Sequence, residues 1–138
     1  MADLNAIATA LASRISTSTG ITNATGYAPG QVVPPAVVVI PDRPAILYGQ
    51  TMDGEVNLNF LAIVVLSAAN DTSGQTALNN FVASSGAQSV NAAVNGDPSL
   101  AGTVEYAVVM QVGAYGMIEY AGQQYIGATF LVQCGAHL

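Results

Sequence analysis

The sequence predicts an α+β fold, a mainly antiparallel sheet with helices packed on one face. Apolar residues recur at helical spacing near the start and again past the middle of the chain. A run from Glu55 to Ser67 first alternates and then turns wholly apolar, and the last third is dense in Val, Ile, Tyr and Thr between glycine breaks. The resulting order of helix, strand, strand, two helices and a meander belongs to that layered class. No linker or internal repeat divides residues 1–138, whose length suits one domain with one core.

Leu4, Ile7, Ala8, Leu11 and Ile15 fall on one helical stripe, with Asp3 in the first turn where the dipole favours an anion, so a helix is expected from Asp3 to Ser16. The Ser, Thr, Gly and Pro of Thr17 to Gly30 predict a loop. Val37 to Ile40 is a β-branched run between Pro34-Pro35 and Pro41. It reads as a short buried strand that the prolines keep from pairing further at its ends. Asp42 to Gly54, with Pro44, Tyr48, Gly49 and Met52, is either a long loop or a strand–loop excursion, and its closing Asp53-Gly54 is a turn signal. In the strand from Glu55 to Ser67, Val56, Leu58 and Phe60 alternate with Glu55, Asn57 and Asn59, which gives the first half one wet face and leaves the second half covered on both. Asp71 and Thr72 open a helix expected from Ser73 to Ala83, with Ala77, Leu78, Phe81 and Val82 on its apolar face. Ser85-Gly86 breaks it. Val90, Ala93 and Val94 mark a short third helix ending at Asn95-Gly96, a left-handed stop signal, and Asp97-Pro98 is a turn. Val104 to Val112, Tyr115 to Tyr120 and Gln123 to Cys134 read as three consecutive antiparallel strands, separated by Gly113 and by Ala121-Gly122.

Composition narrows the functional classes. Two basic and eight acidic residues give a formal charge of −6, and 7% of positions are charged against 51% hydrophobic, a balance that favours a packed core over disorder. Arg14 and Arg43 are the only fixed cations, too few to neutralise a run of phosphates, so binding of nucleic acid by a basic face is not expected. The longest apolar stretch, Phe60 to Leu66, is about a third of the roughly 20 residues a spanning helix needs, so no membrane is expected either. The opening Met-Ala-Asp-Leu lacks the basic start and apolar stretch of a signal peptide, which points to a cytoplasm. A single cysteine, Cys134, leaves no internal disulfide or cysteine-based zinc site and suits a reducing compartment. Soluble monomers usually carry about 25% charged residues. A chain with so few implies that copies or partners cover much of its surface, the alternative being a surface rich in Ser, Thr, Asn and Gln.

Groups that carry chemistry are scarce. His137, the sole histidine, is penultimate, where a catalytic base would sit on a fraying end. Cys134 shares a strand face with Phe130 and Val132 and reads as a small hydrophobe. Of the acids Asp3, Asp42, Asp53, Asp71, Asp97, Glu55, Glu105 and Glu119, most sit at helix starts or turns with ordinary local roles. Glu105 and Glu119, on neighbouring predicted strands, could face one another, but they read as solvated strand acids rather than an acid–base pair. No glycine-rich phosphate loop with its Lys and no G-x-S-x-G elbow occurs in the sequence. Accordingly no catalytic, cofactor or metal site is expected. Asn23-Ala24-Thr25 and Asn70-Asp71-Thr72 match the glycosylation triplet by chance. Tyr27, Tyr48, Tyr106, Tyr115, Tyr120 and Tyr125 are of a type enriched at interfaces, though strands hold them equally well.

Several segments together carry a resemblance. They are Asp53-Gly54-Glu55-Val56 through Val64-Val65-Leu66-Ser67, Gln75-Thr76-Ala77-Leu78-Asn79-Asn80-Phe81, Ser84-Ser85-Gly86-Ala87-Gln88-Ser89-Val90, Asp97-Pro98-Ser99-Leu100-Ala101-Gly102-Thr103-Val104, and the closing Tyr120-Ala121-Gly122-Gln123-Gln124-Tyr125-Ile126-Gly127-Ala128. In this pattern, from about Pro35 to Cys134, the chain resembles the tail terminator proteins of long, flexible-tailed (siphovirus-type) bacteriophages, especially those infecting actinobacteria. It departs from them in its near absence of Lys and Arg, so salt-bridge contacts are not carried over. The resemblance implies an α+β virion protein without catalysis, assembled in the host cytoplasm. It would form a ring of its own copies, commonly a hexamer, on the head-proximal end of the tail tube. There it would stop polymerisation of the tail tube protein and offer a docking surface to the head–tail connector or stopper protein. A heterologous ring closes on itself and leaves no repeat surface for further growth. DNA would pass through the lumen without specific binding, and acidic walls would keep the duplex from sticking. The expected contact regions are the Asp42 to Gly54 loop, with Arg43, Tyr48, Met52 and Asp53, and the hairpin from Tyr115 to Gln124, with Tyr115, Tyr120 and Gln123. A head-side stopper or adaptor at the same junction is the nearest rival. From another class, a small-ligand binding module would use apolar space between helices and sheet.

Overall fold

The computed structural model describes residues 4–19, 21, 23–27, 30, 35–47, 55–68, 78–86, 88–100, 102–120 and 122–137. Helix α1 (Leu4–Thr19) precedes three strands, β1 (Asn23–Thr25), β2 (Ala36–Leu47) and β3 (Glu55–Ala68). Residues 78–82 form helical turns, α2, followed by α3 (Val90–Gly96), β4 (Tyr106–Tyr120) and β5 (Gln123–His137). The sheet order is β1-β2-β3-β5-β4. Only β1 runs parallel to its neighbour. This is the α+β architecture that the sequence predicts.

The main core lies on one face of the sheet. Ile7, Leu11 and Ile15 of α1 join one buried cluster with Val37 and Val39 of β2, Leu58, Phe60 and Val64 of β3, and Ile126, Phe130, Val132 and Cys134 of β5. The period-2 alternation of the strands is what aligns these residues on one side. Leu78 and Phe81 of α2 and Val90 and Val94 of α3 close the same cluster. Ser89 fixes the start of α3: its hydroxyl accepts the Ala92 N–H at 3.1 Å and donates to the Ala83 carbonyl at 2.5 Å, which satisfies a buried polar group and ties α2 to α3. Ala36, Val38, Val65, Ile118 and Tyr125 form a smaller buried cluster on the opposite face.

The first helix runs three residues past Ser16, to Thr19. Residues 23–25, placed in a loop by their composition, pair in parallel with residues 36–38. Without an alternating apolar pattern of its own, this strand is specified by its neighbour. The short strand at Val37 to Ile40 is part of a twelve-residue one: Pro41 occupies a ladder position opposite Phe60, and the register shifts between Pro41 and Ile46. That irregularity accommodates Pro44, which has no N–H to give to a ladder. The Asp42 to Gly54 segment therefore begins as strand, and its residues 48–54 lie outside the described residues. In β3 the alternation persists as far as Val64, with Leu61 and Ile63 half-buried; only at Val64 and Val65, both fully buried and each in a different cluster, is the strand covered on both faces. The Ser73 start of the second helix also lies outside the described residues.

The last third departs furthest from the expected three strands. Val104 to Val112 and Tyr115 to Tyr120 are not separate strands but one, β4, which pairs along its length with β5. Gly113 is absorbed as a bulge. The register shifts between Val109 and Gln111 and again between Val112 and Tyr115, so β4 carries extra residues at two places without leaving the sheet. At the second shift the Ala114 N–H donates to Thr129 Oγ1 at 2.8 Å, which replaces a lost ladder bond. The meander is thus a two-stranded hairpin, turning at Gly122 with φ 82°.

Candidate assembly surface

Among the described residues β4 is an edge strand of the sheet, and the sequence leaves it unusually bare. Over fifteen residues it contains no Pro, Lys or Arg, and its single charge is Glu119. Edge strands are normally guarded by such residues, because a row of open N–H and C=O groups invites another chain. Val108, Met110, Val112, Tyr115 and Met117 project from it between 39% and 58% exposed. Its two bulges interrupt the flat edge and limit uncontrolled pairing.

Side-chain hydrogen bonds hold the strand in place without covering it. The Tyr106 hydroxyl donates to Asn57 Oδ1 at 2.7 Å across the sheet. The Tyr115 hydroxyl donates to Asn79 Oδ1, which links the exposed strand to α2. At the hairpin end the Tyr125 hydroxyl donates to Gln123 Oε1 at 2.9 Å, a bond within β5. Tyr120 is half-buried there, and burial raises the pKa of its phenol.

Among the residues predicted as contacts, Tyr115, Tyr120 and Gln123 lie on the β4–β5 hairpin, with Tyr115 and Gln123 exposed, but Tyr115 reaches α2 on the helix-bearing face while Tyr120 packs against the smaller cluster on the other face. Arg43 lies on β2, separated from β4 by β3 and β5, roughly 14 Å across the ladder at the usual strand spacing. The two expected contact regions therefore belong to different parts of the sheet. Tyr48, Met52 and Asp53 are outside the described residues. Val108, Met110, Val112 and Met117 were not singled out by the sequence, because apolar strand residues in a terminal hairpin look the same whether they face a core or solvent. The available signal was the lack of charge along the whole run from 106 to 118.

The remaining chemistry-bearing groups are held apart or put to structural use. Glu105 and Glu119 do not face each other. They stand near opposite ends of one strand, on the order of 40 Å apart at about 3.3 Å per residue, because the two expected strands are one. His137 does not lie on a loose end: its backbone is in the β5 ladder opposite Glu55. Arg14 is half-buried and its Nε donates to the Ala93 carbonyl at 2.6 Å, fastening α1 to α3. Among the described residues no group of three His, Cys, Asp or Glu is arranged to hold a metal, and no helix is long and apolar enough to cross a membrane. A depression of about 230 Å³ lies beside α2, and its described lining residues, Asn80, Ala83, Ser85, Gly86 and Gln88, carry no titratable side chain.

Cys134 is fully buried, opposite Leu58 of β3 and Ala107 of β4. Burial pushes its thiol up to about 12 from the ordinary 9.0, because an apolar site disfavours the thiolate. Above pH 9 the unfolded chain gives up this proton while the folded chain keeps it. Stability contributed by the neutral thiol is therefore complete below about 9 and is lost as pH rises toward about 12. The expected slope from this group approaches 1.4 kcal/mol per pH unit, about the cost of one pKa unit. Urea unfolding of the parent and of Cys134→Ala between pH 8 and 11 checks it, and equal slopes would count against it.

The chain matches no protein-family model and no curated protein at a significant level.

Proposed function

We propose that the chain is a structural virion protein of the tail terminator type. It would form a ring of its own copies at the head-proximal end of a phage tail tube, stop growth of the tube protein there, and present a joining surface to the head–tail connector. The observation that supports this best is β4: a long edge strand with one charge and five exposed apolar side chains, in a chain with very few charges overall. A free monomer would ordinarily guard such an edge, whereas a subunit destined for a larger particle covers it on assembly. The absence of Lys from the chain and its charge of −6 suit a wall past which DNA moves without adhering. On this reading the protein acts by shape and association, with no catalytic step. The space between α1 and the sheet is filled by Ile7, Leu11, Ile15, Leu58 and Phe60, all fully buried, which favours a packed scaffold over a small-ligand module in that space.

The test is the mass of the full chain in solution, alone and after mixing with purified tail tubes or tailless heads. Self-association into a closed ring and capture by tubes are expected; capture by heads instead would move the assignment to a head-side stopper. Replacing Val112 and Met117 with lysine places two charges on the exposed strand, where each costs the fold within about 0.5 kcal/mol. The double variant is expected to lose at least tenfold in assembly, with its thermal midpoint lowered by no more than about 5 °C. A parent chain that stays monomeric and ignores both tubes and heads defeats the proposal.

A further inference from the structure

We propose that Met110 and Met117 are oxidant-sensitive positions of the β4 surface, and that their conversion to sulfoxides switches off its association. The inference rests on the reading of β4 as an assembly surface and adds a chemical control to it.

A chain with one free thiol would ordinarily be expected to meet oxidants through that thiol. Here the geometry reverses the order. Cys134 is fully buried between β3 and β4, and burial also disfavours the thiolate that reacts with peroxides. Met110 and Met117 are 54% and 58% exposed on the edge strand. A thioether needs no ionisation to react, so its rate follows access to solvent. Met110 is the extra residue at the first bulge and has no partner opposite it in the ladder, while Met117 stands opposite Ile126 of β5 and keeps its own side chain in solvent.

The step balances with a hydroperoxide as oxidant. The thioether sulfur attacks one peroxide oxygen, a sulfur–oxygen bond forms as the oxygen–oxygen bond breaks, and the departing oxygen leaves as water or an alcohol. Sulfur loses two electrons and the peroxide gains them. The product places a polar, chiral S=O group where an apolar side chain stood, and it must be desolvated if another chain is to cover β4. Neither methionine belongs to a buried cluster, so the fold should survive the change that the surface does not.

The test uses the full chain treated with dilute hydrogen peroxide before assembly. Cleavage after Tyr106, Tyr115 and Tyr120 puts Met110 and Met117 on separate peptides. The expected result is one added oxygen on each, an unmodified Cys134, an unchanged thermal transition, and at least a tenfold loss of assembly. A Met110→Leu/Met117→Leu variant should assemble equally with and without peroxide. Oxidation of Cys134 before the methionines, or methionines that resist peroxide in the unassembled chain, overturns the assignment. So does a doubly oxidised chain that assembles normally, although the assembly reading then stands. A parent chain that does not assemble before treatment removes both.

Discussion

Phe60→Ala is expected to destabilise the protein by about 3–5 kcal/mol, a large share of the 5–15 kcal/mol by which a domain of this kind is stable. Phe60 is fully buried in β3, at the centre of the ladder, with Pro41 on one side and Val132 on the other. It belongs to the cluster that joins α1 to the sheet and is, with Phe130, among the largest side chains fully removed from water. Truncation loses the transfer energy of the ring and leaves a cavity that strands fixed on both sides cannot close. Urea unfolding should show a lower midpoint with the slope retained, and a midpoint within experimental error of the parent would show that Phe60 does not anchor the core.

Gly127→Val is expected to cost at least about 3 kcal/mol, at or beyond the upper end for an overpacked site. In β5, Gly127 stands between Val65 of β3 and Gly116 of β4, next to the register shift between Val65 and Ser67. A Cβ at this position would fall on the Val64 carbonyl oxygen and within 3.0 Å of Ile118 Cδ1. The obstruction is a ladder backbone atom, which no rotamer change can move aside. Two strands would have to separate where β3 is already irregular, and alanine at the same position should give a smaller loss of the same sign. Thermal unfolding of the two variants ranks them, and a valine variant as stable as the parent would contradict the close approach of β3 and β5.

These two positions also show how far the sequence can be read. Phe60 was placed on the buried face of a strand by its alternation with Asn57 and Asn59, a local pattern that needs no knowledge of the rest of the chain. Gly127 carried no such signal, because its role is set by the Val64 carbonyl, 63 positions earlier in the chain. The same division runs through the surface. The hairpin with Tyr115, Tyr120 and Gln123 could be located from glycine breaks and β-branched runs. That β4 occupies the edge, with Val108, Met110, Val112 and Met117 open to solvent, depends on β5 inserting between β3 and β4.

Periodicity, composition and turn chemistry were enough to establish an α+β domain, its main helix and central strand, the buried place of Cys134, and a surface poor in charge. These follow from interactions within a few residues along the chain or from simple totals. The union of two expected strands into β4, the passage of β2 beyond Pro41, the parallel pairing of β1 and the exposure of one apolar strand while its neighbours are buried were settled by folding. Each depends on which backbone lies alongside another, and ladder hydrogen bonds between distant segments can override a local proline or glycine signal.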